Sequence, residues 1–159
     1  MYRLNHLILS ILFLFLFGSQ INSYLYAQES NGKYTIVIHG GAGDFPKDSP
    51  EELKKEYIKS LTEALNIGKN ILANGGTSID AVEKVIIYLE VNILFNAGKG
   101  AVFTSDGKHE LDASIMLGKD LSCGAVAGVT IIKNPISLAR LVMEKTPHVL
   151  FAGKGADDL

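Results

Sequence analysis

Asn74-Gly75-Gly76-Thr77-Ser78 stands between two stretches whose apolar residues recur at helical spacing, so the chain has to stop one helix and start another there. Upstream, Leu53, Tyr57, Leu61, Leu65 and Leu72 keep one stripe facing a core; downstream, Ile79, Val82, Ile86 and Leu89 keep another. The glycines suit the left-handed backbone of a helix C-terminus, and the hydroxyls of Thr77 and Ser78 suit the unsatisfied N–H groups of the next helix. Ser49-Pro50-Glu51-Glu52 announces the first helix, with serine as cap, proline at the first helical position and glutamate three residues on. The second is expected to end near Glu90.

Strand signals surround this pair. Residues 34–38 alternate and are β-branched before Gly40-Gly41 and Gly43, as a strand does on entering a tight turn. Residues 101–104 and 111–116 flank Asp106-Gly107, a strong hairpin signal, and are expected to pair. Residues 124–133, rich in valine, isoleucine and small residues, fit a strand packed on both faces. A third helix is expected from Pro135, with Asn134 as its cap, until Pro147 stops it after Lys145-Thr146. Residues 148–152 read as one more short strand. Helices and strands are both segregated and interleaved, an α+β pattern without repeats or low-complexity linkers.

The 159 residues, 47% of them hydrophobic, suffice for one core of ordinary size. The N-terminus differs from the rest. Arg3 and His6 precede an apolar run over 7–17, broken only by Ser10 and too short to span a bilayer. Ala27 then precedes Gln28-Glu29-Ser30-Asn31-Gly32, so residues 1–27 read as a cleaved secretory signal and 28–159 as the exported, periplasmic or secreted chain. A retained membrane anchor is the weaker reading, because no basic cluster follows the run, and no cysteine follows it to carry a lipid.

Removing Arg3 with the leader takes the formal charge from −2 to −3, and lysines and arginines are scattered among acids, so no nucleic-acid partner is expected. The one cysteine, Cys123, cannot form an internal disulfide. It reads as a small apolar strand residue without a base to activate it.

Other chemistries lack their residues. No glycine, four-residue spacer and Gly-Lys-Ser/Thr run occurs, and Gly98-Lys99-Gly100 and Gly153-Lys154-Gly155 lack the spacing and hydroxyl of a phosphate loop. His39-Gly40-Gly41 after a strand resembles the oxyanion loop of lipase-like hydrolases, but no G-x-S-x-G nucleophile elbow accompanies it. Glu110 and Asp112 project to one side of a strand; the preferred reading gives Asp112 a buried structural hydrogen bond and leaves Glu110 solvated. His39, His109 and His148 are isolated and His6 lies in the leader, so no zinc or iron site is expected. Thr77 follows a glycine, as a self-cleaved nucleophile would, yet reads far better as a helix cap.

Four motifs together carry a resemblance: His39-Gly40-Gly41-Ala42-Gly43, Leu94-Phe95-Asn96-Ala97-Gly98-Lys99-Gly100, Glu110-Leu111-Asp112-Ala113-Ser114 and Cys123-Gly124-Ala125-Val126-Ala127-Gly128-Val129. With residues 134–140 and 153–156, they make residues 34–159 resemble the isoaspartyl peptidase/plant-type asparaginase branch of the N-terminal-nucleophile hydrolases. The resemblance implies the N-terminal half of an αββα sandwich, incomplete without a C-terminal half that carries the nucleophilic threonine. That threonine, freed by self-cleavage, would use its own α-amine as base to cleave β-aspartyl peptides and asparagine, releasing aspartate.

On this resemblance Asn96, Gly40 and Gly41 support the active site, orienting water and the self-cleaving bond; without it, Asn96 reads as a turn residue. No organic cofactor is implied. A structural sodium ion is, held by the backbone carbonyls of Leu89, Glu90, Asn92, Phe95, Ala97 and Lys99, oxygen donors that suit a hard cation. The sequence departs from the family at Ile93, often proline, at Val91 and Asn92, one position often acidic, and at Leu117, commonly acidic. Implied partners are the C-terminal half, a second two-chain unit in a homodimer, and a small β-aspartyl substrate. A glycosylasparaginase fragment and a non-catalytic remnant are the alternatives. The chain as it stands is expected to be inactive and poorly soluble alone.

Overall fold

The structure, a computed structural model, describes residues 34–42 and 48–159. All elements below belong to the unit Thr35–Leu159. The expected leader, residues 1–27, lies outside the described residues. No helix among the described residues is long and apolar enough to cross a membrane.

Helix α1 (Glu51–Ala73) starts one residue later than the cap signal implies, because Pro50 keeps an extended ψ of 136° and itself takes the cap position with no side-chain cap bond. Glu51 and Glu52 in the first turn complement the helix dipole instead. At the other end Gly75, at φ +79°, donates to Leu72 O at 3.1 Å and Gly76 to Ile71 O at 2.9 Å, the left-handed closure that the two glycines predict. The expected leucines are only half-buried; the buried row is Ser60, Ala64 and Gly68, one turn apart. These small residues let α2 (Ser78–Val91) approach closely: a Cβ on Gly68 would fall 2.9 Å from Val85 Cγ2.

Thr77 caps α2 as expected, its Oγ1 accepting from Asp80 N at 3.2 Å and donating to Asp80 Oδ2 at 2.5 Å. The predicted stripe is rotated: Ile79 and Leu89 are buried, but Val82 is 45% exposed while Ala81 and Val85 go inside. The rotation follows from α2 serving two cores. Ile79 joins a cluster on the sheet side, Val85 and Leu89 join one with Ala64 and Phe95 on the α1 side, and Ile86 packs against both.

Residues 34–38 do not form a strand. Ile36 and Ile38 pack on the α1–α2 core while Val37 points out, so the alternation is real, but no strand among the described residues pairs with it. The sheet has three strands in the order β1 (Leu111–Met116), β2 (Cys123–Val129), β3 (Leu150–Ala152). β1 and β2 run antiparallel; β2 and β3 run parallel, joined by helix α3 (Pro135–Lys145) as crossover. A single turn, α4 (Lys154–Asp157), follows β3.

Residues 101–104 do not pair with β1. Asp106-Gly107 does turn, with Thr104 N donating to Lys108 O at 2.8 Å, but the ladder goes no further. Val102 has its N–H on Asn96 Oδ1 at 3.0 Å and its carbonyl on His109 Nδ1 at 3.2 Å, so its donor is already spent and its carbonyl is engaged away from β1.

β2 also ends early, at Val129 rather than Lys133. Two residues, Ala127 and Gly128, oppose Asp112 in a bulge with Gly128 at φ +62°, and the N–H groups of Thr130 and Ile131 turn to the Asp157 carboxylate at 3.0 and 3.4 Å. Nor, among the described residues, is β2 packed on both faces. Ala113 with Val126 and Ile115 with Gly124 face α3, so closely that a Cβ on Gly124 would fall 2.1 Å from Ala139 O. Ser114 with Ala125 and Met116 with Cys123 face the other way, where Met116 is 57% exposed and Leu150 55%.

Candidate functional site

The loop after α2 is pinned from beneath. Asn92 Oδ1 accepts from Leu94 N at 3.0 Å, and its Nδ2 donates to Ser60 Oγ at 3.1 Å. Tyr57 donates its hydroxyl to Leu94 O at 2.7 Å and meets the buried Phe95 ring edge-on, centroids 5.7 Å apart. Phe95 thus anchors the loop in the α1–α2 core, and Asn96 is held just above it. Asn96 Oδ1 takes the Val102 N–H and closes a seven-residue loop; its Nδ2 has no partner among the described residues.

The glycine turn comes to the same place. Gly40 lies against Leu61 and Phe95, where a Cβ would fall 3.1 and 3.2 Å from their side chains. His39 Nδ1 accepts from Gly41 N at 3.1 Å, which puts the proton of the neutral ring on Nε2. Gly40, Gly41, His39, Asn96 and Ala97 line one cleft of about 770 Å³. The three residues singled out in the sequence are therefore brought together by the fold. Asn96, Ala97 and Ile86 also line a second cleft, of about 400 Å³, whose far wall is Glu110, Asp112 and Ser114 of the β1 side.

The six carbonyls singled out for a cation lie within the last turn of α2 and its loop. Those of Leu89, Asn92, Phe95 and Ala97 each accept one backbone N–H, from Asn92, Phe95, Ala97 and Gly100, leaving a second lone pair on each. Gly98, at φ +49°, presses on the Glu90 carbonyl: a Cβ there would fall 2.3 Å from that oxygen. A helix C-terminus carries partial negative charge, and carbonyl oxygens are donors of the kind a hard cation takes. Among the described residues no group of three His, Cys, Asp or Glu could hold a metal.

The remaining candidates are dispersed. Asp112 Oδ1 accepts from Gly128 N at 2.8 Å, the structural bond expected, though Asp112 is exposed rather than buried; Glu110 is exposed too. His39, His109 and His148 sit in three separate places, on Gly41, on the Val102 carbonyl and against Phe151. Cys123 opens β2 opposite Met116.

Two features escaped the sequence. Asn134 holds the cap position of α3 but makes no side-chain cap bond; the carboxylate of Glu90 supplies the acceptor instead, taking Ile136 N at 2.9 Å and Asn134 Nδ2 at 3.0 Å. Burial pushes the Glu90 carboxyl above its ordinary range, against the pull of those two bonds. The one signal was an acid ending an apolar stripe. Arg140 ties α3 to α2 through Asp80 at 2.7 Å and Glu83 at 2.8 Å, and bonds Glu144 at 2.7 Å. Ser137 Oγ adds a bond to Glu83 at 2.6 Å.

Residues 32–159 match the family model described as Asparaginase. The chain is 46% identical over 127 residues to the isoaspartyl peptidase of Salmonella typhimurium, covering 79% of this chain and 41% of that protein. It is 53% identical over 121 residues to the plant-type L-asparaginase of Pyrococcus horikoshii, covering 76% and 38%. With the isoaspartyl peptidase/L-asparaginase of Macaca fascicularis the figures are 50% over 122 residues, covering 76% and 38%. The chain thus spans about two fifths of the length of these relatives.

Proposed function

Because the chain belongs to the asparaginase family, whose model it matches over residues 32–159, we propose that it is the first part of an amidohydrolase that cleaves isoaspartyl peptides and L-asparagine to release L-aspartate. The observation that carries this reading is the convergence of Asn96, Gly40 and Gly41 on one cleft. Asn96 has its oxygen fixed by Val102, so its Nδ2 is the group left to donate in the cleft, to a water or to the carbonyl of the bond being cut.

The nucleophile in this reading is a threonine outside residues 28–159. Thr77, the one threonine in the sequence that follows a glycine, has its Oγ1 engaged twice by Asp80 and serves α2. Its freed counterpart would lose its hydroxyl proton to its own α-amine, whose ordinary pKa of about 8 suits that transfer near neutrality. Residues 28–159 alone are accordingly expected to turn over nothing.

An αββα sandwich would suit three features of the described residues: the exposed face of the sheet, the edge of β1, and segment 35–38, which pairs with no strand among them. A second half would cover the first and supply strands to the others. We further propose export through the leader at 1–27, pairing of two-chain units, and a structural sodium ion on the carbonyls of Leu89, Glu90, Asn92, Phe95, Ala97 and Lys99. Such an ion would stiffen the loop that carries Asn96.

The test is to express the intact protein, follow its conversion to two fragments, and assay aspartate release from a β-aspartyl dipeptide, L-asparagine and glycosylasparagine. Cleavage with turnover of the first two is expected. Turnover of glycosylasparagine alone would move the assignment to glycosylasparaginase, and an uncleaved protein without turnover would make it a non-catalytic relative.

A further inference from the structure

Glu90 is 3% exposed, and no step proposed above uses its carboxylate. An acid buried to this extent needs a compensating role, because removing it from water is unfavourable unless both oxygens are engaged. Both are. The side chain leaves the end of α2 and reaches the first turn of α3, where Oε1 takes Ile136 N at 2.9 Å and Oε2 takes Asn134 Nδ2 at 3.0 Å. An ordinary cap would have needed neither the charge nor the distance in sequence, since Asn134 already stands at the cap position with a suitable oxygen.

The backbone of the same residue meets a different segment. Its carbonyl oxygen is the surface on which Gly98 sits, with space for no side chain between them. From Gly98 the chain returns at once to Asn96: Gly98 O accepts from Ala101 N at 3.2 Å, and the next residue, Val102, gives its N–H to Asn96 Oδ1 at 3.0 Å. One residue therefore holds α3 by its side chain and seats the Asn96 loop by its main chain.

We infer that Glu90 is a positioning residue: by fastening the last turn of α2 to α3 it fixes the platform on which residues 96–102 rest, and so sets where the Asn96 amide stands in the cleft. The inference deepens the proposed function, resting on Asn96 as part of the active site. The platform includes Glu90, Ala97 and Lys99 of the sodium-type loop, but the inference needs no ion there.

The test uses the intact protein and two readouts, hydrogen exchange at the Val102 amide and steady-state turnover of a β-aspartyl dipeptide. E90A is expected to speed exchange at Val102 about tenfold or more, with helix α1 unchanged, and to lower kcat about tenfold with KM within about twofold. E90Q keeps an acceptor for Ile136 N, and with the Asn134 amide turned so that its oxygen accepts from the new Nε2–H it should stay near the wild type in both. Should E90A fail to fold, N134A, which withdraws only the Oε2 partner, carries the same expectation at about threefold. A folded E90A with wild-type exchange at Val102 and unchanged kcat overturns the inference. So does exchange that quickens equally throughout the α1–α2 core, since that is general loosening. A local response at Val102 in a protein whose wild type turns over no β-aspartyl substrate keeps the positioning role and sinks the reaction instead.

Discussion

Leu121 is the one non-glycine among the described residues with positive φ, at +62°. It stands in the turn between β1 and β2, where Leu117 N donates to Ser122 O at 2.9 Å and Ser122 donates its N–H and its hydroxyl to Asp120 Oδ1 at 3.0 and 2.7 Å. Those bonds to Ser122 hold the Asp120 carboxyl below its usual range and keep the turn closed around a leucine that would rather be elsewhere in φ/ψ space. Leu121 is 67% exposed, so it gains little from burial in return. Leu121→Asn, which tolerates this conformation, is expected to stabilise by about 0.5–1 kcal/mol, seen as a higher Tm in thermal unfolding; an unchanged or lower Tm would show that the leucine is contributing contacts. Nothing in the sequence marks this residue, because the strain arises only once the strands fix both ends of the turn. Thr77 is the opposite case: its capping role follows from its neighbours alone.

Between elements, Arg140 joins α3 to α2 through Asp80 and Glu83. Its hydrogen bonds to Glu144, Asp80 and Glu83 raise the guanidinium pKa further. Asp80 is lowered by Thr77 and then Arg140; Glu83 would be raised by its burial, but Ser137 and Arg140 outweigh that and lower it. A carboxylate whose folded pKa lies below its unfolded value contributes stability above the unfolded pKa, near 4, and loses it as pH falls through the folded one. Arg140→Met should therefore lower stability by about 1–2 kcal/mol at pH 7, mostly through the shielded Glu83 pair, with the deficit shrinking towards pH 3. Denaturant unfolding of both proteins across that range checks it; a pH-independent deficit would assign the effect to lost packing. Helices were the legible part of this chain. Their ends are written in local chemistry, as at Asn74-Gly75-Gly76 and Pro135. Which side of α2 is buried was not, because that depends on two cores meeting it from different directions and exposing Val82. The expected hairpin failed for a similar reason, since Asn96 and His109, distant in pattern terms, took the Val102 backbone first.

At the scale of the molecule, Asn96, Gly40 and Gly41 came from the family resemblance alone, and the fold places all three on one cleft; the role of the Glu90 side chain was invisible, since it needs α3 to arrive from 46 residues away. The uncovered sheet leads to a further expectation. Residues 28–159 prepared alone should self-associate, because Met116, Leu150 and the β1 edge are available for pairing. Light scattering and sedimentation decide this, and a monodisperse, cooperatively melting monomer would count against it. Among the described residues that face is tiled by Ser114, Cys123, Ala125, Ala127 and Ala152, with bulk at Met116 and Leu150. Stacked sheets sit about 10 Å apart, a thickness that side chains from both layers must fill. A layer this thin in the middle leaves most of that filling to whatever lies on it. The covering surface should accordingly be relief to this mould, tall at its centre and low where methionine and leucine rise to meet it.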